Sequence, residues 1–142
     1  LTVNQLPPLD LVVLSHAHMD HFHMATLRQL KPGTAVATAR GTGDLLARTP
    51  MKDVRELAWG ERTRFRTSRG VISVEAFEVE HWGARWRKDT HRGYNGYIIE
   101  RNQRKILFGG DTAYTDSFKQ LREKGPFDLA ISLKWWLLLK QV

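Results

Sequence analysis

The chain of 142 residues has the length of one ordinary domain, and a hydrophobic fraction of 42% supports a packed core and excludes wholesale disorder. It contains no cysteine, which excludes disulfides, thiolate metal ligands and a cysteine nucleophile, so any metal site must be built from imidazole and carboxylate. The formal net charge of +7 points to anionic partners without choosing among phosphoesters, nucleic acid and a membrane surface.

Taken in order, the stretch LDLVVLS at 9–15 follows the breaker LPP and predicts a buried strand. A cluster of four of the six histidines follows at once, in LSHAHMDHFH at 14–23. Met24, Leu27 and Leu30 recur at helical spacing up to the stop KPG, so a helix is expected over 23–30. A strand at 34–39 and a helix at 42–49, ended by Pro50, come next. Strands are expected at 54–58, 63–67 and 70–81, and then YNGYIIE and KILFGG flank RNQR as a hairpin. A helix at 116–125 and a strand in PFDLAISL complete the pattern. Strands and helices alternate at both ends around a mostly β middle, so the class is α/β or α+β, in a single domain over 1–142.

His16 and His18 leave the first strand with one residue between them, a spacing that points both imidazoles the same way in extended backbone. Asp20 and His21 follow where the chain turns toward the helix. Two further apolar strands end on a potential ligand, His81 after FEVE and Asp111 after ILFGG. Sites in open α/β sheets form beyond the carboxyl ends of strands, so these residues are candidates for one shared centre. Gly109 and Gly110 would let the backbone turn tightly there. His23 is expected to face solvent.

The motif SHAHMDH resembles the His-x-His-x-Asp-His signature of the metallo-β-lactamase superfamily. The words HWGAR, GGDTAY and GPFDLAI look most like the branch that contains N-acylphosphatidylethanolamine-hydrolysing phospholipase D and its bacterial relatives. The resemblance runs from about Leu6 to Ile131 and implies a four-layered αββα sandwich with metals at one edge. It also implies that His16, His18 and His81 hold one zinc, that Asp20 and His21 hold a second, and that Asp111 bridges them. Iron and manganese also occupy such sites in the superfamily.

The chain departs from that pattern twice. The branch carries another metal-binding histidine after the FDLAI strand, where this sequence reads SLKWWLLLKQV, and the family places several strands before the first motif. With Leu1 rather than Met at the start, the sequence reads as an internal piece of a longer enzyme or a truncated product, a partial sandwich incomplete at both ends.

The expected chemistry is hydrolysis of a phosphodiester or other ester-like bond in a small-molecule or phospholipid-like substrate. Zinc brings the pKa of a bound water from 15.7 to about 7. Asp20 is the expected catalytic residue, orienting that water and handling its proton, and Thr112 is a candidate hydrogen-bond partner for Asp111. The basic, aromatic stretch HWGARWRKDTHRGY at 81–94 offers Arg85 and His91 as substrate-binding residues that would meet a phosphate. A nuclease is the alternative within the enzymes, although the basic residues outside 85–92 are scattered rather than striped. A non-catalytic metal-binding fragment is the alternative outside them. No basic-then-apolar leader opens the sequence, and WWLLL at 135–139 is far shorter than the roughly 20 residues of a spanning helix, so a soluble cytoplasmic protein is expected. Oligomeric state has no sequence signal.

Overall fold

The computed structural model describes residues 2–113 and 115–133. After a 3-10 turn at Val3–Gln5 the elements are β1 (Leu11–Leu14), α1 (Met24–Leu27), β2 (Ala35–Ala39), a 3-10 turn at Gly43–Arg48 and β3 (Val54–Leu57). Then come β4 (Arg62–Thr67), β5 (Gly70–Phe77), β6 (Gly96–Arg101), β7 (Arg104–Asp111), α2 (Ser117–Gln120) running into a 3-10 turn at Leu121–Lys124, and β8 (Leu129–Leu133). The apolar run at 135–139 lies outside the described residues.

Two sheets result. β1, β2 and β3 pair in parallel in that order, and β4 to β8 form a five-stranded sheet in chain order, antiparallel except for the parallel β7–β8 pair. Period-two alternation sorts their side chains into layers. Leu11, Val13, Ala35 and Ala37 meet Phe65, Ile72, Val74, Ala76, Tyr97 and Ile99 between the sheets. On the far side of the first sheet, Val12, Leu14 and Val36 pack with Phe22, Leu27 and Leu46 from the helical segments. On the far side of the second, Phe77 and Ile98 pack with Phe118 and Leu121. The order helix, sheet, sheet, helix is the αββα sandwich, of mixed α/β class.

The helices are shorter than their periodicity predicts. The segment expected at 23–30 is α-helical only over Met24–Leu27, and the one at 42–49 is a 3-10 turn. In the latter, Thr42 Oγ1 donates to the Ala39 carbonyl and Thr49 Oγ1 to the Leu46 carbonyl, both at 2.6 Å. Such side-chain bonds give the backbone an alternative to the α-helical ladder. β5 stops at Phe77, so His81 stands in a loop rather than on the strand predicted to reach it. The RNQR hairpin forms as expected: Asn102 and Gln103 both take positive φ, 49° and 63°, the two-residue turn that matches strand twist.

Candidate metal centre

The first motif hangs between two fixed points. At one end the strand exit is tied to the second sheet: the Asn95 N–H donates to the Ser15 carbonyl at 2.8 Å, and His16 bridges to Tyr94. Beneath it, Tyr97 Oη donates to the Leu14 carbonyl at 3.0 Å while Asn95 Nδ2 donates to the Leu57 carbonyl at 2.8 Å. Tyr97 is fully buried, and burial pushes its phenol well above the ordinary value, so it remains a donor. At the other end Phe22 is completely buried, an anchor worth about 1.5–3 kcal/mol. The histidines project from the turn between.

Three imidazole nitrogens converge. His16 Nε2 lies 2.9 Å from His18 Nδ1 and 3.1 Å from His81 Nε2, and His81 Nε2 lies 3.2 Å from His18 Nδ1. Each ring nitrogen has one in-plane direction for a proton or a lone pair, so three aimed at a common point cannot satisfy one another by hydrogen bonds. A cation at that point satisfies all three. Zn–N distances of about 2.0–2.1 Å in a tetrahedron put donors roughly 3.3–3.4 Å apart, close to the spacing here. Burial first, and then the neighbouring imidazoles of His81, His21 and His18, lower the His16 pKa to about 2. Burial and His18 likewise lower that of His81. Both rings are therefore neutral at pH 7, with lone pairs to give. Ser15 Oγ stands 2.9 Å from His16 Nδ1, and with Nδ1–H donating to it the free lone pair falls on Nε2.

A second cluster joins His16 to His21 and Asp111, whose ligand atoms lie within 4.8 Å of one another. His21 Nε2 is 3.1 Å from Asp111 Oδ2. Asp111 Oδ1 is buried and has no hydrogen-bond partner, a costly state for a carboxylate oxygen unless a cation fills it. This orphaned oxygen and the thiol-free set of nitrogen and oxygen donors fit a metal pair. Asp20 belongs to neither cluster. Its Oδ2 is 3.6 Å from His21 Nε2, and its side chain is 79% exposed at the rim.

The glycines do what a close approach requires. Gly110 has φ +57°, and a Cβ on it would stand 2.7 Å from the Ser15 Cβ. Gly83 lets the His81 loop press on the backbone of Arg92 and Gly93, where a Cβ would lie 2.2 Å from the Arg92 carbonyl oxygen.

Two arginines of the basic stretch have partners within the protein. Arg85 Nη1 donates to the Ala17 carbonyl at 2.8 Å and the Phe22 carbonyl at 3.1 Å. Arg92 is buried between Asp44 and Asp89 and also donates to the Gly41 carbonyl. His91 is exposed and packs on Gly41, outside both clusters. His23 is exposed, as expected. Thr112 differs from its expectation: its Oγ1 accepts the Glu80 N–H at 3.0 Å and donates to the Ala113 carbonyl, instead of meeting Asp111. Ser15, Asn95 and Tyr97 carried no sequence signal beyond their position beside strand ends.

A family model described as "Beta-lactamase superfamily domain" matches residues 2–134. The chain belongs to the β-lactamase superfamily. This superfamily member is 31% identical over 141 residues to N-acyl-phosphatidylethanolamine-hydrolyzing phospholipase D 1 of Caenorhabditis elegans, covering 92% of this chain and 40% of that protein. It is 24% identical to the mitochondrial N-acyl-phosphatidylethanolamine-hydrolyzing phospholipase D of Saccharomyces cerevisiae, covering 86% of this chain and 27% of that one. The chain thus spans well under half the length of these relatives. Among solved structures, it matches CmlA, a diiron β-hydroxylase from Streptomyces venezuelae, with a TM-score of 0.70 at 23% identity, over 89% of this chain and 26% of that one. It also matches Igni18, a metallo hydrolase from Ignicoccus hospitalis, with a TM-score of 0.69 at 19% identity, over 87% of this chain and 51% of that one. At these identities the likeness is one of fold. Among the described residues no helix is long and apolar enough to cross a membrane.

Proposed function

We propose that the chain carries the dinuclear metal centre of a hydrolase acting on a phosphodiester or other ester-like bond of a phospholipid-like substrate. The observation that carries the reading is the convergence of three imidazole nitrogens at 2.9–3.2 Å beside a buried, unpartnered Asp111 oxygen. One ring nitrogen serves one cation, so His16 goes with His18 and His81 at the first site. His21 and Asp111 would hold the second, with Asp20 at its rim as a further donor. Zinc is the proposed metal, since imidazoles with a carboxylate suit it; iron fits the same donors. The metals, when bound, supply Lewis acidity and an acidified water at neutral pH.

The residues do the rest. Ser15 keeps the proton of His16 on Nδ1, and Asp111 offers its free oxygen inward. Asp20 Oδ2, at the open rim beside His21, receives the proton of the attacking water and passes it to solvent. The substrate class rests on the likeness to the two phospholipase D relatives.

Elemental analysis of the purified chain and a phosphodiesterase assay with an N-acylphosphatidylethanolamine test the reading together. The expected result is two zinc per chain, with activity removed by chelation and restored by zinc. Asp20→Ala is expected to abolish turnover while the zinc held by His16, His18 and His81 stays. Absence of metal rules out the centre; unchanged turnover in Asp20→Ala removes the role of that carboxylate. Metal without hydrolysis leaves a binding fragment.

A further inference from the structure

We propose that Arg85 is a positioning residue for the metal centre, its guanidinium holding the 17–22 loop closed so that His18 and His21 face the cations. The inference rests on the metal-centre reading above and gives Arg85 a place in it other than substrate contact.

Nη1 of Arg85 donates to two carbonyls five residues apart, Ala17 at 2.8 Å and Phe22 at 3.1 Å. Those carbonyls bracket His18, Asp20 and His21. Inside the bracket, the Phe22 N–H donates to the His18 carbonyl at 2.7 Å and the His21 N–H to the same carbonyl at 3.2 Å. The turn is thus folded on the His18 carbonyl and clasped from outside by one nitrogen. Both hydrogens of Nη1 have acceptors, so that nitrogen has none for an anion. The guanidinium carbon sits 5.8 Å from the ring centroid of Phe22, the buried anchor of the same loop.

Arg85 is also four residues past His81. A single side chain therefore joins the loop that bears one ligand to the loop that bears three candidates. Groups that orient ligands from outside the coordination sphere change metal affinity by about 10–100-fold when removed. Lysine keeps the charge but lacks the planar fork, so it does not reproduce the clasp.

The test is a cobalt titration of the full chain, read by visible absorption with chelator competition, on wild type, Arg85→Met, Arg85→Lys and Arg62→Gln. Arg62 pairs with Glu75 on the second sheet and serves as a control for general loss of stability. The expected result is a cobalt Kd raised about 10–100-fold in Arg85→Met and raised also in Arg85→Lys, with Arg62→Gln at the wild-type value. In the metal-free chain, the His21 and Phe22 amides are expected to exchange faster in both Arg85 variants. An unchanged Kd in Arg85→Lys overturns the proposal, even if Arg85→Met fails to fold. An unchanged Kd with a raised KM also overturns it and returns Arg85 to substrate contact. Failure of the wild type to bind cobalt is a separate outcome: it removes the centre, and the positioning role with it.

Discussion

The Glu80 N–H donates to Thr112 Oγ1 at 3.0 Å, so one hydrogen bond joins the residue before His81 to the residue after Asp111. The Ala113 N–H returns the contact, donating to the Glu80 carbonyl at 2.8 Å. Two candidate ligands from separate strand exits are therefore fixed relative to each other by a short bridge, without help from the first loop.

Thr112→Val keeps the shape of the side chain and removes the acceptor. Expected are a loss of about 0.5–1.5 kcal/mol in stability, read by urea unfolding, and weaker zinc binding at the site that shares Asp111. Zinc affinity at the wild-type value would show that the bridge does not hold the ligands in place.

Ser15→Ala takes the partner from His16 Nδ1, so the ring is free to carry its proton on Nε2, where the cation belongs. Zinc affinity is expected to fall about 10–100-fold by chelator competition, with the far-ultraviolet circular dichroism unchanged.

Gly110→Ala places a side chain where φ is +57° and where the Ser15 Cβ stands 2.7 Å from the new atom. Backbone strain of about 1–3 kcal/mol is expected, together with displacement of Ser15 and so of His16. A lower melting temperature and reduced zinc content in the same variant are the readout. A normal zinc content would mean that the strand exit tolerates the shift.

Glu75 predicts a pH dependence away from the centre. Burial raises its pKa, but hydrogen bonds from Lys124 and Arg62 outweigh burial and hold it below the ordinary 4.5. A folded-state pKa lowered in this way contributes stability that is fully present above pH 4.5 and is lost as pH falls from there through the folded value. Glu75→Gln is expected to flatten that acid limb in melts between pH 7 and pH 3. An equally steep limb in the variant would assign the dependence to other carboxylates.

The α/β class and the strand exits at His16 and Asp111 were legible in the residues, because short apolar runs end there, whereas the four layers came from the family resemblance. Helix length was not legible. The run around Leu45 and Leu46 has helical spacing, yet the hydroxyls of Thr42 and Thr49 bond to nearby carbonyls and tighten it into a 3-10 turn. The protein partners of two arginines in the basic loop were hidden for a different reason: counting charge says nothing of acceptors distant in sequence. Arg92 meets Asp44, 48 residues away, and Arg85 meets the Ala17 carbonyl, 68 away. Thr112 shows the same limit at short range, since adjacency to Asp111 did not reveal that its hydroxyl serves Glu80.

The first sheet supplies His16, and the second supplies Asp111 and, through the loop after β5, His81. The proposed divalent ions, seated among them, would cross-link the two layers in a chain that has no cysteine to do so. With the proposed zinc bound, stripping the ion would loosen the two layers, so the melting temperature is expected to rise with free zinc concentration.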